Sequence, residues 1–241
     1  MRITPEAKRK IQLGLVLAIA IAAARTGYIL YDRHITHLEE SRRQSTALDP
    51  DYYVVPKKLH PYDLESARQL TQQPVWVKEG YRYTYYPFDP ARHRTDFNHE
   101  AGLLLPIERL DLKDVVLNIF PGSPDQRQLM AIFQRAGKSY AVPIGTMKAG
   151  NYQIYSDEMF YIQDPHELYK HWPADVWLAI EQHAVRAGMN ELQADFAIGM
   201  GIPERSNDPD VKTVNYPNGG KPLSITYRQG KAADIKPGPS A

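Results

Sequence analysis

His166-Glu167-Leu168-Tyr169-Lys170-His171 is the first stretch whose residue types could cooperate in chemistry. Two imidazoles and a carboxylate within six residues suggest a zinc hydrolase. That motif needs histidines at i and i+4, so that both reach one helix face. Here the spacing is five, about 140° beyond a full turn, and the rings diverge. Trp172-Pro173 then breaks the helix, so surface histidines at a helix start are expected. His93, Asp96 and His99 lie in a polar loop, residues 87–101, with Glu100 beside them. They meet at a metal only if that loop coils helically, and a plain polar loop is the simpler reading. Asp157-Glu158 offers paired carboxylates, but neighbours in a strand point to opposite faces, so a turn between Tyr155 and Met159 is expected. No Gly-x-Ser-x-Gly or Ser-x-x-Lys nucleophile motif occurs, and Gly219-Gly220-Lys221 sits in a hairpin rather than a phosphate loop. The expectation is a non-catalytic protein with no cofactor and no metal.

Binding chemistry is better represented. Tyr81, Tyr83 and Tyr85 alternate with Arg82, Thr84 and Tyr86, so three phenol rings fall on one face of a strand. Such a row either fills a core with its hydroxyls at the wet edge or forms an aromatic platform for a glycan, peptide or protein. With nearby Trp76, these three tyrosines are the candidate interaction surface.

The elements that must carry these residues begin with the N-terminus. From Ile11 to Ala24 only Gln12 and Gly14 interrupt an apolar run, preceded by Lys8-Arg9-Lys10. Two readings stand. As a signal anchor the helix spans residues 11–31, about 31 Å long against a bilayer core of about 30 Å. Arg25 would then snorkel to the headgroups, and Tyr28 and Tyr31 would sit at the interface. As a secretory signal peptide the chain would be cleaved after Ala24, behind Ala22-Ala23-Ala24. The anchor is favoured, because an apolar, tyrosine-bearing continuation has no purpose beyond a cleavage site. The basic triplet puts residues 1–10 in the cytoplasm and the body outside it, in the periplasm of a bacterial-type envelope.

Charge and composition agree with that placement. The chain holds 29 basic and 28 acidic residues; six against two fall in residues 1–34, making the head +4 and the remainder −3. Near-neutrality argues against charge-driven nucleic-acid binding. The absence of cysteine excludes disulfides, thiolate metal sites and a lipid-modified cysteine.

The body reads as α+β. Residues 32–73 form a polar helical linker region, with a short helix capped by Asp63. Residues 74–163 carry about eight short strands between Gly- and Pro-bearing turns, a mainly-β small barrel or sandwich. Residues 164–232 change register. Asp164-Pro165 opens a short helix, and a longer one runs from Ala174 to Ala187, stopped by Gly188. Asn190 and Gln193 cap another helix, which Gly199 stops, and a hairpin turns across Asn218-Gly219-Gly220. Residues 233–241 read as a disordered tail.

Within this last module, Gly188-Met189-Asn190-Glu191-Leu192-Gln193, Ala197-Ile198-Gly199, Pro203, Tyr216 and Leu223 to Tyr227 form a recognisable string. It resembles the SmpA/OmlA (BamE-like) family of small envelope proteins over about residues 174–232. The chain departs from that pattern in Gly199-Met200-Gly201-Ile202-Pro203 and in lacking the lipoprotein cysteine. The resemblance implies a helix-helix-hairpin interaction module with an envelope protein as partner. Residues 74–161 are loosely similar to the SH3-type barrels of exported proteins, which implies a cell-wall or glycan-binding module as the alternative. A metal-dependent hydrolase comes last.

Overall fold

The computed structural model describes residues 25–33, 49–80, 82–120, 122–206, 208 and 210–238. The chain divides into two units, Met1–Tyr53 and Val54–Ala241. In the first, residues 25–33 are helical (α1) and exposed throughout, and Pro50–Tyr53 forms one 3-10 turn with Tyr52 and Tyr53 exposed. Among the described residues no helix is long and apolar enough to cross a membrane. Most of the expected anchor, residues 11–24, lies outside the described residues, as does Tyr81.

The second unit is α+β and mainly β, built on three antiparallel sheets. The largest has the order β3-β2-β8-β7-β6, with β4 added to β2 and β9 to β8. Its strands are β2 (Thr84–Asp89), β3 (Arg94–Thr95), β4 (Gly102–Leu103), β6 (Leu112–Phe120), β7 (Ser123–Arg135), β8 (Lys138–Lys148) and β9 (Asn151–Ile154). Two long strands, β7 and β8, dominate it, paired across a hairpin at Ala136-Gly137. Strand β7 contains the continuous apolar run Leu129-Met130-Ala131-Ile132-Phe133, the pattern of a strand covered on both faces. The burial follows that pattern. Leu129, Ala131 and Phe133 face one core with Val142, Ile144, Leu112 and Val115. Met130 and Ile132 face the other with Val116, Ala141 and Phe88.

The cover on that second face is the loop expected to be polar and open. Residues 87–101 fold back through the β2–β3 pair, with Phe97 edge-on to Tyr86 at 5.3 Å and the Thr95 N–H donating to Asn118 Oδ1 at 2.6 Å. Loop polarity concealed two inward aromatics, Phe88 and Phe97.

The first face is closed by residues assigned to the linker. Helix α2 (Leu64–Arg68) starts at Asp63, whose carboxylate accepts the Ser66 N–H, while the Ser66 hydroxyl accepts the Asp63 N–H. That capping box aims Ala67 and Leu70 into the core beside Leu59 and Leu64. Upstream, the Leu59 and His60 N–H groups donate to the Asp157 carboxylate at 3.1 and 2.8 Å, and the Lys57 N–H to Gln163 Oε1 at 2.9 Å. Residues 54–73 therefore belong to the body rather than to a spacer.

A small sheet, β10-β1-β5, joins β1 (Val75–Val77), β5 (Arg109–Leu110) and β10 (Phe160–Tyr161). Just before β10, Asp157 and Glu158 lie in one helical turn, α3 (Ser156–Met159). Both line one concavity with Lys58 and His60, where a strand would have separated them.

The C-terminal part packs helices α4 (Pro165–Leu168), α5 (Ala174–Glu181) and α6 (Glu191–Ile198) on a four-stranded sheet. Its order is β11-β12-β13-β14, from β11 (Ile202–Pro203), β12 (Val211–Tyr216), β13 (Leu223–Arg228) and β14 (Lys231–Pro237). Asp164 and Asn190 cap their helices as expected, each accepting a backbone N–H. Two expectations are corrected. Helix α5 stops six residues short of Ala187, because His183 takes a left-handed φ of 50° and the Ala184 N–H bonds back to the Ala179 carbonyl. That is a Schellman-type end built without glycine. Residues 233–237, read as tail, complete β14 against β13.

Gly201 shows how closely β11 is laid on its neighbour. A Cβ there would lie 2.5 Å from Val214 Cγ1 and 2.9 Å from the Tyr216 ring. Gly201→Ala is expected to cost about 1–3 kcal/mol through overpacking, read as a lower urea midpoint.

Candidate functional site

Of the four residues proposed as one surface, Tyr81 lies outside the described residues, and Trp76, Tyr83 and Tyr85 do not form one exposed face. Tyr85 is core, 6% exposed, edge-on to Phe133 at 5.5 Å and Tyr140 at 5.1 Å. Its hydroxyl accepts from Arg135 Nη1 at 2.7 Å, and the same guanidinium pairs with Glu108. Tyr83 is half-buried on that core and precedes β2, which begins only at Thr84. Trp76, on β1, packs instead against the C-terminal core. The rings of Tyr83 and Tyr85 serve packing.

His93, Asp96 and His99 are not brought to one point either. His99 Nδ1 lies 2.8 Å from Asp96 Oδ2, whereas the His93 ring turns to Phe88. No group of three or more His, Asp or Glu among the described residues is arranged to hold a metal ion.

What the fold does assemble is an aromatic cleft of about 540 Å³ around α4 and α5. Asp164 caps α4 and also holds His166, its Oδ1 lying 2.9 Å from the ring Nδ1. Pro173 is extended and precedes α5, whose Trp177 comes back to α4. The His166 ring then stacks on Trp177, with centroids 4.1 Å apart and planes at 26°. Trp172 lies 5.3 Å from Trp177. These rings form the floor with Ala174; Leu178, 46% exposed, stands at the rim with Lys170 and Glu181. His166 Nε2 is 3.5 Å from Glu181 Oε1, so the imidazole is bracketed by two carboxylates. The depression is shallow, and its lining is apolar with polar flanks.

Behind the floor sits Phe196 of α6, fully buried. Its ring is edge-on to Tyr169 (5.0 Å), Trp172 (4.9 Å) and Trp177 (6.3 Å), and tilted against Tyr161 at 6.1 Å. One residue earlier, Asp195 points into a seam of acids and phenols. Its Oδ1 is buried without a hydrogen-bond partner among the described residues. Burial, reinforced by the Glu191 charge, pushes this carboxyl up to about 7; the Tyr216 hydroxyl and the Lys212 ammonium partly oppose that rise. The Tyr216 and Tyr227 hydroxyls share a hydrogen bond of 2.8 Å, and burial drives both phenols well above their ordinary range. Glu79, just past β1, accepts from the Tyr161 hydroxyl at 2.6 Å; burial raises its carboxyl too, although that bond favours the ionised form.

Other contacts pin α6 at both ends. Lys212 Nζ lies 2.8 and 2.6 Å from the Glu191 carboxylate oxygens at its start. At its finish Arg82 Nη2 donates to the Ile198 carbonyl at 3.3 Å, and the His183 Nδ1 lies 3.0 Å from the Ala197 carbonyl.

Sequence reading placed the parts of this cleft separately, His166 as a surface histidine at a helix start and Trp177 within the helix expected from Ala174 to Ala187. The signal that could have joined them is Trp172-Pro173, a chain reversal between two aromatic stretches. No family model, no curated protein and no solved structure matches the chain.

Proposed function

We propose that this chain is a membrane-anchored, extracytoplasmic, non-catalytic interaction protein of a bacterial-type envelope, which holds a partner protein near the membrane. The anchor is residues 11–31, with the N-terminus cytoplasmic. One observation carries the interaction reading: an aromatic cleft, His166–Trp172–Trp177, opens to solvent beside the exposed Leu178. Apolar side chains left at the surface over a buried aromatic floor are what a partner's side chain can cover. The α5, α6 and β12–β13 order supports kinship with the SmpA/OmlA-like envelope proteins. The curled seven-stranded sheet is read as the small barrel of the mainly-β module.

A second reading, binding of a cell-wall glycan, is favoured by one feature of the same cleft. Stacked rings flanked by the Asp164 and Glu181 carboxylates are groups that a sugar ring and its hydroxyls can use.

The test places a photoreactive phenylalanine analogue at Leu178 in intact cells. A discrete crosslinked protein is expected, abolished by Lys170→Glu, a surface change at the rim. Absence of any crosslink, together with sedimentation of the purified chain with peptidoglycan that Leu178→Glu abolishes, would overturn the first reading for the second. Protease added outside the inner membrane should digest the body and spare a tag at residue 1; a protected body refutes the topology.

A further inference from the structure

We propose that Asn218-Gly219, in the turn between β12 and β13, is a site of spontaneous deamidation, and that the acid it leaves pairs with Arg82. This goes beyond the interaction reading and does not depend on it. Of the seven asparagines in the chain, Asn218 alone is followed by glycine. An asparagine reacts when the backbone nitrogen of the next residue attacks its side-chain carbonyl carbon. The N–Cγ bond forms, the amide nitrogen leaves as ammonia, and a five-membered succinimide joins the two residues. Water then opens the ring at either carbonyl, giving aspartate or isoaspartate. One water is consumed and one ammonia released, with no change of oxidation state. A side chain on the following residue obstructs the attacking nitrogen, and glycine has none.

The fold leaves both reacting groups unengaged. Neither the Asn218 side-chain amide nor the Gly219 N–H makes a hydrogen bond among the described residues. Pro217, Gly219 and Gly220 are exposed, and Asn218 is half-buried. Two bonds hold the turn: the Gly220 N–H donates to the Pro217 carbonyl and the Lys221 N–H to the Asn218 carbonyl, each at 3.1 Å. Residues 218, 219 and 220 all take positive φ, of 39°, 61° and 88°. Two successive glycines pass to other backbone conformations at little steric cost, which lets the nitrogen approach Cγ. Other asparagines spend their side chains on the fold. Asn118 bonds to Thr95 and His93, Asn190 caps α6 at the Gln193 N–H, and Asn215 donates to Glu204.

Arg82 gives the product a partner. Its guanidinium rests on the same turn: a Cβ at Gly219 would lie 3.3 Å from the Arg82 Cζ. A guanidinium carries five N–H donors in a fixed fork that matches a carboxylate. Here one of them reaches the Ile198 carbonyl, and no carboxylate among the described residues pairs with the head. Deamidation sets a carboxylate one residue from that cation and takes the formal net charge of the chain from +1 to 0. Because Arg82 also holds the end of α6, the new pair ties the β12–β13 turn to that helix.

The full chain in detergent micelles is held at pH 8 and 37 °C, folded and in urea, and tryptic digests are followed over time by mass spectrometry. The peptide Thr213–Arg228, uncut at Lys221 because Pro222 follows, carries both Asn215 and Asn218. Conversion is expected at Asn218 and not at Asn215, with isoaspartate identified by electron-transfer fragmentation. The folded rate should lie within about tenfold of the rate in urea, since an exposed turn opens at little cost. Asn218→Gln should abolish the conversion. A folded rate more than about a hundredfold below the urea rate would mean that the fold shields the turn, and would overturn the site. Conversion without isoaspartate would overturn it too, because no succinimide would have formed. For the pairing, Asn218→Asp should raise the urea midpoint of the wild-type chain and not that of Arg82→Gln. Equal shifts in the two backgrounds overturn the pairing. Neither readout uses the crosslink at Leu178, so either idea can fail alone.

Discussion

Phe196→Ala is expected to remove about 3–5 kcal/mol from the stability of the Val54–Ala241 unit, the range for deleting a fully buried phenyl ring. The ring is wholly inaccessible and touches four other aromatics. Edge-to-face pairs contribute about 0.5–1.5 kcal/mol each beyond area burial, so the upper end of the range applies. Collapse cannot close the hole easily. Trp172 is fixed by the Pro173 turn, Trp177 by its stack on His166, and Tyr161 by its bond to Glu79. Urea unfolding followed by circular dichroism reads the loss, and tryptophan emission should move to the red because water reaches the cleft floor. A change under 1 kcal/mol would mean that the cleft does not rest on this ring. Phe196→Leu, which keeps most of the volume, should recover more than half of the deficit.

A second large effect concerns pH. The Asp195 carboxyl is raised from 3.8 to about 7 in the folded chain. An acid with a raised folded value binds its proton more tightly when folded than when unfolded. Its favourable contribution is therefore complete below the unfolded value of 3.8. It declines as pH rises from there and is gone above about 7. The full shift corresponds to about 4 kcal/mol, an upper figure because solvent screens part of the charge. Denaturant titrations should find the wild-type chain losing stability from pH 5 to pH 7.5, with Asp195→Asn gaining on it over the same interval. Most soluble domains hold their carboxylates ionised and show the opposite trend on the acid side. A wild-type profile that rises toward neutrality, with Asp195→Asn parallel to it, contradicts the assignment.

These two neighbours show what the sequence could and could not disclose. The helix that carries Phe196 was legible from the Asn190–Gln193 capping box, because cap chemistry is local, and Phe196 lies at helical spacing from Leu192 on it. The caps at Asp63, Asp164 and Asn190 were legible for the same reason. Asp195 was not, because a polar residue on a short helix is read as exposed. Its partial burial depends on Tyr216, Tyr227 and Glu79, which are remote in the chain. Helix ends split along similar lines. Gly199 stops α6 as glycine should, whereas α5 ends at a left-handed His183 that no propensity scale favours. The alternation of tyrosines from 81 to 86 reads as a strand, but the strand begins only at Thr84, and alternation does not say which side faces solvent. Arg135, fifty residues beyond Tyr85, decides that by reaching its hydroxyl. The cleft is a product of tertiary arrangement in the same sense. Its rings lie within a dozen residues of one another, yet only the reversal at Pro173 makes them a surface.

The attachment of residues 57–60 to Asp157 and Gln163 has a mechanical consequence. A pull passing along the chain from Val54 would meet the packing of Val54 on the C-terminal core and then those three backbone hydrogen bonds. The Lys58–Glu158 ion pair shares the load, and both precede the packed side chains of α2. The clip between residues 57–60 and 157–163 therefore stands between Val54 and α2, so that fraying entering from Val54 has to break it before it reaches the side chains of α2 in the β core.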